Sequence, residues 1–125
     1  MPTVTQPKNL GDVLKYEAPN LYSRETATVA AAQNLSLGTV VGRDTASAKL
    51  KAFDPDASDG SEIAIGVLGN DVDATLIDRD DAILIARHAI VARGALIWPT
   101  GITPTQKAAA EAHLTFLGVL VRDSA

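Results

Sequence analysis

The chain has 125 residues, a net charge of −4, a hydrophobic fraction of 46% and no cysteine. That length suits one domain with enough apolar material for its own core. The composition excludes disulfides, thiolate metal sites and cysteine nucleophiles. No apolar run approaches the roughly 18 residues of a membrane span.

Residues 1–25 stand apart from the rest. Pro2, Pro7 and Pro19 punctuate them, and Asp12, Glu17 and Glu25 balance Lys8, Lys15 and Arg24. Met1 to Leu10 is polar and Pro-broken, unlike a secretory signal, so a cytosolic product is expected. Leu10, Val13, Leu14, Tyr16, Leu21 and Tyr22 are too sparse to offset the segment's own ordering entropy. They are still more than a plain linker needs. The reading is a flexible arm over 1–25 that gains order on a partner, followed by a β-rich domain over 26–125.

From Thr26 the pattern predicts strands at Thr26–Ala32, Gly38–Gly42, Lys49–Phe53 and Ile63–Leu68. Asp54-Pro55-Asp56 through Gly60, and Gly69-Asn70-Asp71, read as turns. Ala82–Ala92 is a longer run, apolar on both parities with Arg87 and His88 in its middle, and suits a strand buried on both faces for part of its length. Thr103-Pro104-Thr105-Gln106 carries a cap, a proline at the first helical position and a capping-box partner, so a helix is predicted to about His113. Leu114–Val121 is assigned as a closing strand.

Nine acids against one base, Arg79, lie between Asp54 and Asp81. Such a stretch repels phosphate, so nucleic-acid binding is not expected, and a solvated face is the simplest reading. A calcium loop starting at Asp54 would need glycine at its sixth position and glutamate at its twelfth; Asp59 and Ile65 stand there. His88 and His113 form no zinc-type pair, and no nucleophile elbow, phosphate loop or dinucleotide fingerprint occurs. No enzyme, metal or cofactor is therefore expected. The lone tryptophan, Trp98, reads either as core or as the anchor of a subunit contact.

Four ordered segments resemble the lambda-type bacteriophage head decoration protein family. They are Lys49-Leu50-Lys51-Ala52-Phe53-Asp54 with Asp59-Gly60, then Ile65-Gly66-Val67-Leu68, Leu96-Ile97-Trp98-Pro99, and Thr105-Gln106-Lys107 leading to Phe116–Val121. Upstream, Tyr16–Glu25 is similar to the start of longer bacterial and prophage members. The resemblance spans roughly residues 16–123.

The resemblance implies a mainly β fold with one or two short helices (α+β), a β-clip-like compact domain. It implies a structural virion protein, made in the host bacterial cytoplasm and sited on the outer capsid surface. Its partners would be the major capsid protein and two further copies in a homotrimer, with no nucleic acid and no membrane. It would cap threefold and quasi-threefold positions of the expanded shell against DNA pressure. Because this arm differs from that of the short-armed type member, arm contacts carry over only in kind. Leu14, Tyr16, Leu21, Tyr22 and Arg24 are assigned as capsid-binding arm residues. Trp98 and Pro99 are assigned to the trimer or shell interface. On this reading, deleting residues 1–20 leaves a folded domain that no longer binds shells. A β-clip ligand-binding domain or a tail or fibre adaptor are the alternatives. The first would need a pocket lined by several ionisable groups.

Overall fold

A computed structural model describes residues 10–19 and 22–123. Among these residues ten strands and two α-helices follow one another as α1 (Leu10–Val13), β1 (Leu14–Glu17), β2 (Arg24–Val29), β3 (Gln33–Leu35), β4 (Val40–Arg43), β5 (Leu50–Ala52), β6 (Gly66–Leu68), β7 (Val72–Ala74), β8 (Arg79–Ile85), β9 (Ala89–Ala92), α2 (Pro104–Phe116) and β10 (Val119–Arg122), with a short 3-10 helix (Arg93–Ala95) between β9 and α2. The chain is mainly β, as its pattern predicts. Strands β2-β5-β4-β6-β8 close into a barrel, β1-β9-β10 form a three-stranded sheet, and β3-β7 a two-stranded one. Most pairings are antiparallel; β10 runs parallel to β9 and β2 parallel to β5.

Strands β4 and β6 and the second half of β8 are apolar on both parities because both of their faces are covered. Successive side chains point to opposite sides of a strand. Val41, Leu68 and Leu84 join one cluster, with Val29, Leu35 and Leu50. Their chain neighbours Val40, Val67 and Ile85 join the other, with Leu114 and Val119. Gly66 belongs to this tight packing. A Cβ there would lie 2.5 Å from the Ile85 carbonyl oxygen and 2.6 Å from the Leu84 side chain, so only glycine fits.

The single strand expected over Ala82–Ala92 is two. β8 belongs to the barrel and β9 to the three-stranded sheet, and the chain turns between them at His88, whose φ is +50°. Buried Ser23 holds this crossing: its hydroxyl donates to the His88 carbonyl at 2.9 Å and accepts from Ala18 N–H at 2.8 Å. Apolarity on both parities signals burial but does not reveal which sheet supplies each partner.

Leu114–Phe116, expected as strand, continues α2. Thr103 Oγ1 accepts from Gln106 N–H at 3.1 Å and Gln106 Oε1 from Thr103 N–H at 3.0 Å, so the predicted capping box forms. The buried stripe is Ala110 and Leu114, at helical spacing. The helix stops at Gly118, whose φ of +97° ends it in the left-handed region. β3 and β7 were not expected. Gln33–Leu35 is too short and polar to show a period, and Val72–Ala74 sits among aspartates.

Residues 10–17, part of the segment assigned to the arm, lie on this body. β1 pairs with β9, and Val13 is fully buried in the core. Cutting away residues 1–20 would remove both, so that truncation does not leave the domain intact.

Candidate interaction surfaces

The junction of β1 and β2 gathers the first group of polar and aromatic side chains. Arg24 donates from Nε and Nη2 to the two carboxylate oxygens of Glu17, both at 2.7 Å. This bidentate pair ties the end of β1 to the start of β2. The Arg24 hydrogen bond, opposed by partial burial, holds the Glu17 carboxyl below its ordinary value, and the same bond raises Arg24. Next to it, Arg87 donates to the Tyr22 carbonyl at 2.8 Å, pairs with Glu25, and lies 5.4 Å from the Tyr22 ring centre. The Tyr22 ring meets His88 edge-on at 5.1 Å.

Of the assigned arm residues, Tyr16 and Tyr22 are each 54% exposed and both border the β8–β9 crossing, Tyr16 opposite Ile90 and Tyr22 against His88. Leu14 is half-buried and pairs opposite Val91. Arg24 is engaged by Glu17. Leu21 lies outside the described residues.

Trp98 and Pro99 occupy a separate place. Trp98 is half-buried, edge-on to buried Phe53 at 6.0 Å, with the Lys107 ammonium 5.7 Å from its ring centre. It therefore closes one edge of the core while part of its surface stays open to solvent.

Between Asp54 and Asp81 every acid except Asp59 and Glu62 is exposed, consistent with a solvated face. The Asp54–Gly60 turn is closed by its own groups. Asp54 accepts from Asp56 N–H at 3.0 Å. Asp59 accepts from the Lys51 ammonium at 2.8 Å and from Ser61 N–H and hydroxyl at 3.0 and 2.6 Å. These bonds, led by Lys51, hold Asp59 well below the usual carboxylate range. Among the described residues no group of His, Asp and Glu has metal-site geometry, and no helix is long and apolar enough to cross a membrane.

A cleft between α2 and the β5–β6 connection measures about 240 Å³ and is lined by Phe53, Ile63, Ala64, Ala109, Ala110 and His113 among others. That is small for a substrate pocket, and its lining is largely apolar. His113 Nδ1 lies 2.7 Å from the Ala64 carbonyl oxygen; a carbonyl only accepts, so this nitrogen carries the hydrogen and the ring acts as a structural tie.

Sequence reading missed three exposed apolar features: Phe116 at 84%, Ile63 at 49%, and adjacent Leu76 and Ile77 at 89% and 66%. The last had a signal, two large apolar residues inside an acidic turn region. Phe116 had none, because its exposure follows from helical phase.

A small, mainly β body with exposed apolar patches and polar turns closed by hydrogen bonds is the architecture of a compact surface-binding domain. Residues 3–119 match the family model described as bacteriophage lambda head decoration protein D, and the chain belongs to that family. It is thus a structural, non-enzymatic virion protein that sits on the phage capsid surface and stabilises the capsid. No curated protein matches the chain.

Proposed function

We propose that three copies form a cap over threefold and quasi-threefold positions of the expanded shell, held by the major capsid protein and resisting the outward pressure of packaged DNA. Residues 1–25 are the capsid-binding arm, of which residues 10–17 are docked on the decoration body of residues 26–125. The observation that carries this reading is the family match over nearly the whole chain. Two exposed tyrosines at the arm junction support it, since aromatic side chains supply contact area at low entropic cost. A cap that binds only the expanded lattice stabilises that state by linkage. Three arms on one cap add avidity, so each single contact can be weak.

The test is co-sedimentation with expanded, undecorated shells and with unexpanded shells as control. Saturable binding to expanded shells alone, with three copies per site, is expected. Changing Tyr16 and Tyr22 together to serine should weaken binding at least about tenfold, the equivalent of 1.4 kcal/mol, while the variant stays folded and loses only about 1 kcal/mol of stability with the Tyr22 contacts to His88 and Arg87. Equal binding to both shells, or undiminished binding by the tyrosine variant, would overturn the cap or the arm assignment respectively.

A further inference from the structure

The turn between β7 and β8 projects Leu76 and Ile77 into solvent, at 89% and 66% exposure. The turn is held at both ends. Asp73 Oδ1 accepts from Thr75 N–H at 3.1 Å and from its hydroxyl at 2.5 Å. Asp78 accepts from Ala31 N–H at 2.8 Å and pairs with Lys49. The result is a pinned apolar knob whose flanks, Asp71, Asp73, Asp78, Asp80 and Asp81, are acidic apart from Arg79. Ordering two large apolar side chains in water brings no gain unless something covers them.

A recessed apolar surface with one cation outside any ion pair among the described residues lies on the same chain. Ile102, Pro104 and Ala108 floor a shallow apolar groove beside Arg93, Lys107 and Glu111. Glu111 and Asp123 both pair with Arg93. Lys107 has no ion pair among the described residues and lies over Trp98 instead. The knob lies on the side of β7, packed on the barrel-centred cluster. The groove lies on α2, packed on the other cluster. A protruding and a recessed apolar patch at different places on one chain can meet only head to tail, and such a contact closes into a ring when the rotation permits.

We propose that the Leu76–Ile77 knob of one copy seats in the Ile102–Pro104–Ala108 groove of a second copy, with its aspartates facing Lys107. This rests on the three-copy reading above and supplies its contact.

The absence of cysteine makes a clean test possible. In the double variant Ile77→Cys, Ala108→Cys, oxidation should give covalent trimers on non-reducing gels, from free protein at high concentration or from decorated shells. Neither single variant should do so. Separately, Leu76→Ser with Ile77→Ser should keep the wild-type unfolding curve and weaken self-association, measured by sedimentation equilibrium and by copy number on shells, at least about tenfold. Trimers of undiminished affinity without a 77–108 cross-link would overturn the knob and leave the trimer standing. A serine variant that trimerises normally but loses shell binding would assign the knob to the shell and overturn the proposal. Wild-type protein that forms no trimer in solution or on shells would overturn both readings.

Discussion

The Glu17–Arg24 pair connects the arm side of the molecule to the barrel, and its contribution is measurable. The guanidinium makes two 2.7 Å bonds to the carboxylate, and the two side chains are 26% and 24% exposed. At this separation the bare attraction is about 1.5 kcal/mol with the dielectric constant of water and about 6 kcal/mol at an effective value near 20. Desolvation and the ordering of two long side chains offset most of the larger figure. Exposed pairs contribute about 0.2–1 kcal/mol, and hydrogen bonds to charged groups about 1.5–3. The mostly covered, bidentate geometry places the coupling at about 1–2 kcal/mol. A double-mutant cycle of Glu17→Gln and Arg24→Leu, followed by urea unfolding monitored through the single Trp98, isolates it. The coupling should shrink in about 1 M salt. It should also depend on pH with a fixed sign. The Glu17 carboxyl is lowered from 4.5 in the folded state, so its contribution is present above that value and lost as pH falls through the folded one. A coupling below about 0.3 kcal/mol, or one that survives into strong acid, would refute the argument that this pair fastens β1 to the barrel.

Leu114→Ala should cost about 3 kcal/mol in the same unfolding assay, because the side chain is fully buried under α2. Phe116→Ala on the same helix should change stability little, since its ring is 84% exposed. Asp59→Asn should destabilise the protein at neutral pH and flatten the acid limb of its stability curve. The Asp59 carboxyl, lowered from 3.8 chiefly by Lys51, stabilises above that pH and loses its effect as the pH falls. Equal acid sensitivity of wild type and variant would count against that role.

Local chemistry was legible without coordinates. The capping box at Thr103 and Gln106, the turn at Asp54–Gly60 and the strands around Val40 and Leu50 depend on neighbours a few residues apart, so the sequence carries them whole. The order of short motifs likewise pointed to the family. Partners distant in the chain were not legible. His88 interrupts a continuous apolar run because β8 pairs with β2 and β6 while β9 pairs with β1 and β10. Leu114–Phe116 looked like a strand because Leu114, Thr115 and Phe116 alternate apolar and polar, and only the packing of Ala110 and Leu114 on one core shows the helical period. Val13, in a segment read as an arm, is buried because β1 finds the free edge of β9. Composition and spacing set how much apolar surface must be hidden and where the chain can turn. Which apolar residues stay outside, as Tyr16, Leu76 and Phe116 do, depends on the register and helical phase reached once distant strands have paired, and only the tertiary structure decides that.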